Sequence, residues 1–179
     1  ARTSAFRYAL GYVDGLAREY GVEREELRAY AQANCRGLHG IARAFDVFEH
    51  MDGRSDNGGE SEARAAMILA GVAAPELQVE ITRPGNAGCY LADYGWQMPN
   101  GSWMLAELHG LGKFEDDAQN DPEHTAAKTY RAALMRDANL RAMGHNVIHF
   151  KLSDTYDVKA FGSMMRGYGI PTTKPYADS

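Results

Sequence analysis

Three side chains in the middle of the chain have types and a spacing that could do chemistry: Asp93, Glu107 and His109. Asp93 sits in the run Cys89-Tyr90-Leu91-Ala92-Asp93-Tyr94, and the other two in Trp103-Met104-Leu105-Ala106-Glu107-Leu108-His109. Both runs read as strands, and Met98-Pro99-Asn100-Gly101 between them reads as the reversing turn. Alternate residues of a strand share a face, so Glu107 and His109 project together and Asp93 on the partner strand can join them. Magnesium is held by hard oxygens, usually one or two carboxylates completed by water and phosphate. The pattern therefore offers a candidate Mg²⁺ or Mn²⁺ site, with Asp93 and Glu107 as ligands. Such an ion would polarise a phosphoryl oxygen and acidify an attacking water. His109, whose ordinary pKa lies near neutrality, would orient that water or take its proton. The plain structural alternative stands beside this one: an edge-strand aspartate, with Glu107 and His109 facing solvent.

The elements that must position these groups follow from periodicity. Helices are expected from Ala5 to Tyr20, capped by Ser4 and carrying an apolar stripe of Phe6, Leu10, Val13 and Leu16, then from Val22 to Cys35 and from Gly37 to His50, the last with Leu38, Ile41, Phe45 and Phe48 on one side. The Gly- and Asp-rich stretch Met51 to Gly59 reads as a loop and as the best boundary. A helix follows from Glu60 to Ala70, then an alternating strand, Leu77-Gln78-Val79-Glu80-Ile81, and a turn at Arg83 to Asn86. After the two strands above come an acidic loop from Asp116 to Pro122, a long helix to Met143, a strand Asn146 to Phe150, and a short helix capped by Asp154. The fold class is α/β: a mixed sheet of about four strands flanked by helices, behind an N-terminal helical segment. Residues 1–58 form the helical segment, 59–170 the α/β domain and 171–179 a loosely ordered tail.

Composition narrows the function classes. The 179 residues, 45% of them hydrophobic, suffice for one core-forming domain with an extension. A net charge of −5 argues against a protein that coats DNA non-specifically, and leaves room for a local basic face. No apolar run reaches the roughly 18 residues a bilayer span needs, so no membrane partner is expected, and the start lacks the apolar core of a signal peptide. Cys35 and Cys89 make no disulfide framework and fit a reducing cytoplasm. The first residue is Ala1 and not methionine, which suggests a piece of a longer protein.

The order of motifs resembles a known family. Gly59-Glu60-Ser61 with Arg64, Pro75 to Val79, Asp93-Tyr94, Glu107-Leu108-His109-Gly110, Lys113-Phe114 and the run from Arg136-Asp137 through Leu140, Arg141, Gly144 and Val147 to Phe150 carry the likeness. Over residues 59–154 the chain is similar to domains of the restriction-endonuclease fold, the PD-(D/E)XK superfamily, in the branch related to very-short-patch-repair endonucleases. Such domains occur as the C-terminal part of actinobacterial proteins similar to the antitoxin of the AbiE abortive-infection system. The resemblance implies Glu60 as the helix glutamate that assists metal binding, Asp93 as the central metal-binding aspartate, Glu107 as the second acid, and Lys113 as the basic residue that offsets charge on phosphorus. His109 stands where this branch has aspartate, and Phe114 where it has tyrosine. The implied activity is metal-dependent hydrolysis of DNA in phage defence or a toxin–antitoxin protein. The alternative is a catalytically degenerate domain acting through protein contacts or regulation. The winged-helix DNA-binding module that commonly precedes such domains is not in this sequence, so a further module or a protein partner is expected to supply DNA affinity.

Other motifs carry less. Gly110-Leu111-Gly112-Lys113 lacks the upstream glycine and the following Ser/Thr of a phosphate loop. His145 and His149 have H-x₃-H spacing, but along a strand that separates them by about 13 Å, and no C-x₂-C pair accompanies them, so a structural role is expected. Lys128, Arg131, Arg136 and Arg141 place positive charge along the long helix, as a solvated face or a phosphate-contacting one.

Overall fold

The computed structural model describes residues 2–86, 88–109 and 122–174. Among these, six helices and four strands follow one another as α1 (Arg2–Tyr20), α2 (Arg24–Asn34), α3 (Ile41–Glu49), α4 (Gly58–Leu69), β1 (Glu76–Thr82), β2 (Cys89–Gln97), β3 (Trp103–His109), α5 (Pro122–Ala142), β4 (Asn146–Lys151) and α6 (Val158–Gly167). The strands form one mixed sheet in the order β1-β2-β3-β4. β1 with β2 and β2 with β3 are antiparallel, and β3 with β4 is parallel. Antiparallel neighbours need only tight turns, whereas the parallel pair needs a crossover, which α5 supplies. The Met98–Ser102 turn closes with Met98 N–H donating to the Ser102 carbonyl at 2.8 Å and Gly101 N–H to that of Met98 at 2.9 Å. Gly101 adopts φ 82°, a conformation that favours glycine.

Both faces of the sheet are covered. On one, Tyr94, Trp96, Met104, Ala106, Ile148 and Phe150 pack on Ala63, Ala66 and Met67 of α4 and Phe161 and Met165 of α6. On the other, Val79, Ile81, Ala92, Leu105 and Val147 pack on Leu140 of α5. A third cluster joins Phe6, Leu10 and Val13 of α1 and Val47 of α3 to Ala65, Ile68 and Leu69 of α4. α4 is thus sandwiched between sheet and N-terminal helices, which explains why it is buried nearly all round, Glu60, Ser61 and Arg64 included. Buried polar contacts fasten the N-terminal segment: Asp14 pairs with Arg64 at 2.7 Å, and Arg7 donates to the Thr155 carbonyl at 2.9 Å and pairs with Glu62 at 3.0 Å. Among the described residues no helix is long and apolar enough to cross a membrane.

Several expectations are corrected in detail. α1 begins at Arg2, so Ser4 lies inside the helix instead of capping it. The third helix begins only at Ile41, because Gly37 and Gly40 adopt φ 79° and 89°, and Leu38 is left exposed. α6 is capped by Asp157, which accepts from the N–H groups of Lys159 and Ala160; Asp154 closes the preceding 3-10 turn by accepting Lys151 N–H at 2.8 Å. Residues 171–174 are anchored and not loose, since Ala73 N–H donates to the Pro171 carbonyl and Thr173 N–H to that of Gly71, each at 2.9 Å. The clean alternation of β1 breaks at Gln78, whose φ of 52° turns Leu77 toward the α4 side while Val79 and Ile81 face α5. Residues 116–121 of the expected acidic loop, and Lys113 with its glycine-rich neighbours, lie outside the described residues.

Candidate functional site

The site is built where the β2–β3 ladder ends. The last backbone pair toward the acids is Tyr94 with Ala106, and beyond it the Asp93 carboxylate takes over, accepting Leu108 N–H at 2.8 Å. Asp93 is mostly buried, at 9% exposure. On β3, Leu105 faces α5 and Met104, Ala106 and Leu108 face α4, so alternation turns Glu107 and His109 toward α5. The parallel register then sets His149 beside Glu107 and Lys151 beside His109. The rings of His109 and His149 stack, centroids 4.7 Å apart and planes at 19°.

α5 closes this face. Its inward residue Leu140 is fully buried, and the residues one turn earlier, Arg136 and Asp137, share that side. Arg136 forms an ion pair with Glu107 and donates to the Leu91 carbonyl at 2.6 Å. Asp137 Oδ2 lies 2.7 Å from His149 Nε2. Neither residue belongs to a solvated helix face, whereas Lys128, Arg131 and Arg141 are exposed. Asn139 donates to the Tyr90 hydroxyl at 2.8 Å and fixes the helix farther along β2.

Electrostatics follow from this packing. Burial pushes the Glu107 carboxyl above its usual range; the Arg136 hydrogen bond opposes this and the Asp93 charge adds to it. Burial also works against charge on Arg136, but the hydrogen bond and charge of Glu107 prevail and raise its pKa. Burial, together with the neighbouring His149, holds the His109 imidazole below its usual pKa, against the pull of Asp137 and Asp93. Glu107 and His109 thus share the α5-facing side of β3, and the Asp93 carboxylate meets that strand at Leu108 N–H.

Glu60 is placed differently. Asn57 caps α4 by accepting Glu60 N–H at 3.0 Å. The Glu60 carboxylate in turn accepts from Asn57 Nδ2 and Asp56 N, both at 2.8 Å, and from Gln78 Nε2 at 3.1 Å. The register puts Gln78 between the pairs Leu77 with Tyr94 and Val79 with Ala92, so the residue that reaches Glu60 stands alongside Asp93. His145 is structural, its Nδ1 accepting Trp103 N–H at 3.1 Å.

As arranged, this donor set does not fit a divalent ion. A guanidinium already sits on Glu107, Asp93 and Glu60 hold protein N–H donors, and among the described residues no three His, Cys, Asp or Glu side chains form a group able to hold a metal. Sequence reasoning missed Arg136, Asp137, His149 and Gln78 as parts of this edge. For the first two, the signal was their place one turn before the apolar Leu140.

Fold and site together define an α/β protein with an acid-bearing strand pair clasped by its crossover helix. No family model matches the chain, and no solved structure matches it. Over 88 residues it is 36% identical to two proteins of Mycobacterium tuberculosis: uncharacterized protein MT2308 of strain CDC 1551 / Oshkosh and uncharacterized protein Rv2248 of strain ATCC 25618 / H37Rv. The aligned stretch is 49% of this chain and 32% of each relative, so the chain spans about a third of the length of the curated relatives it matches.

Proposed function

We propose that this chain is an endonuclease-type domain whose acidic edge serves structure, and that it acts by protein contact or regulation, as the effector half of an antitoxin would in a phage-defence protein. The observation that carries this reading is the clasp of Arg136 on Glu107 and the Leu91 carbonyl. It sets a permanent positive charge on one of the two acids that hydrolysis would need for metal, and His109 supplies an imidazole where the related branch has a hard carboxylate. A cytoplasmic setting fits Cys35 and Cys89, which are both free.

A second reading, a Mg²⁺- or Mn²⁺-dependent phosphodiesterase acting on DNA, is favoured by one specific feature. The Asp93 carboxylate ends on Leu108 N–H, next to Glu107, whose pKa is raised by burial with the Asp93 charge adding to it, the kind of carboxylate pair that a divalent cation relieves. In that reading Arg136 leaves Glu107, and a further module or protein partner supplies the DNA affinity that a net charge of −5 denies the chain. Calorimetry with Mn²⁺ on the wild type and Asp93→Ala, paired with a supercoiled-plasmid assay in Mg²⁺ and in Mn²⁺, separates the two. The regulatory reading expects neither binding nor nicking. Mn²⁺ binding lost in Asp93→Ala, together with nicking, would overturn it.

A further inference from the structure

We infer that the Arg136 guanidinium is the resident cation of the acidic edge: it takes the place a divalent ion would hold and makes the domain independent of metal. This deepens the regulatory reading and rests on it. The Asp93 carboxylate reaches β3 at Leu108 N–H, the amide next to Glu107, and like charges brought together on neighbouring strands destabilise a sheet, so this edge calls for a counter-cation. Arg136 meets that need from a fixed position. It is held by two acceptors on different strands, the Glu107 carboxylate on β3 and the Leu91 carbonyl on β2. The helix behind it is registered by the Asp137–His149 contact on one side, the Asn139–Tyr90 hydrogen bond on the other, and the fully buried Leu140 between. The Arg136 side chain is 24% exposed and that of Glu107 13%, so solvent screens the pair only weakly. A planar guanidinium suits two such acceptors at once, and unlike a bound metal it cannot be chelated away. A divalent ion entering here would have to expel Arg136 or accept its repulsion.

The test measures metal response apart from activity, by calorimetry with Mn²⁺ and by thermal melts with Mn²⁺ or EDTA. The wild type should respond to neither. Arg136→Gln should melt at lower temperature, regain stability in millimolar Mn²⁺, and bind Mn²⁺ at least about tenfold more tightly than the wild type, because removing one partner leaves an uncompensated charge. Asp93→Asn added to Arg136→Gln should abolish that gain. Arg136→Lys, which keeps the charge, should stay blind to Mn²⁺. The inference is overturned by an Arg136→Gln variant that gains no Mn²⁺ binding or stays unfolded in Mn²⁺, by an Arg136→Lys variant that binds as Arg136→Gln does, or by a wild type that already binds equally well. Plasmid nicking by the wild type would instead sink the regulatory reading itself, whereas an inert wild type with an unresponsive Arg136→Gln sinks only the assignment of Arg136.

Discussion

Asp14 and Arg64 lie 50 positions apart and meet between α1 and α4, where Arg64 Nη2 donates to both carboxylate oxygens at 2.8 and 2.7 Å. Asp14 is fully buried and Arg64 is 5% exposed. Each makes a further bond: Asp14 accepts Asp52 N–H at 2.8 Å, and Arg64 Nη1 donates to the His50 carbonyl at 2.6 Å. One pair thus fixes the first helix, the loop before α4 and α4 itself.

Removing one member of this pair leaves a buried charge without its counterpart. Asp14→Ala should destabilise the fold by about 3–5 kcal/mol. The double variant Asp14→Leu/Arg64→Met should cost less than the sum of the two singles, since it strands no charge. Urea denaturation of the four proteins gives the coupling directly. A loss under about 1 kcal/mol in Asp14→Ala would mean that the N-terminal helices are not part of the cooperative unit.

Much of this architecture was legible in the sequence. The sheet was readable because β2 and β3 alternate in hydrophobicity on either side of a Pro-Asn-Gly turn, and because Val147, Ile148 and Phe150 follow the Gly144 stop. Same-face geometry also placed Glu107 beside His109. Two things were hidden. The even alternation of Leu77, Val79 and Ile81 gave no sign that Gln78 turns the strand over, because a left-handed backbone at glutamine is a tertiary effect and not a propensity. Arg136 and Asp137 looked like surface charges on a polar helix, because their partners Glu107 and His149 are 29 and 12 positions away. Charge on a helix reveals its burial only once the opposing strand is known.

Acid should loosen the fold. The His50 imidazole is held below its usual pKa by burial and then by Arg64, and that of His109 by burial and then by His149. A base with a depressed folded pKa contributes stability above its ordinary value, near 6.5, and loses it as pH falls through the folded value. Glu107 works in the opposite sense: its raised carboxyl favours the fold at low pH and loses that contribution as pH rises through the folded value. The urea midpoint should therefore fall between pH 7.5 and 5.5 (about one unit either side of the ordinary histidine pKa), and Glu107→Gln should steepen the fall. In an NMR titration the His109 midpoint should lie below the ordinary histidine value. A midpoint above it would contradict the stacked arrangement with His149.

Gly95 is fixed by close approach and not by turn geometry. A Cβ built there would meet Val79 Cγ2 at 2.8 Å, the Trp103 ring at 3.0 Å and Leu105 Cδ2 at 3.2 Å. All three neighbours belong to the packed α5 side of the sheet. Gly95→Ala should cost about 1–3 kcal/mol by overpacking. Val79→Ala introduced alongside removes the nearest clash, so the pair should be less damaging than the sum of its parts. Denaturation midpoints for the single and double variants decide this. Strict additivity would show that Val79 is not the obstacle.

Gln78 carries the described chain's single positive φ outside glycine, 52°, within β1. That conformation costs an ordinary residue about 1–2 kcal/mol. The amide offsets part of this through its 3.1 Å hydrogen bond to the buried Glu60. Substitutions separate the two contributions, because every replacement here loses the amide and only glycine also loses the strain. Gln78→Gly should therefore be more stable than Gln78→Ala by about 1 kcal/mol. Gln78→Val should be the least stable of the three, since a β-branched side chain tolerates a left-handed backbone worst. An ordinary strand position predicts the reverse, with valine best and glycine worst. Urea midpoints in the order Val, Ala, Gly from most to least stable would show that β1 runs regularly through residue 78, and the placement of Gln78 against Glu60 would go with it.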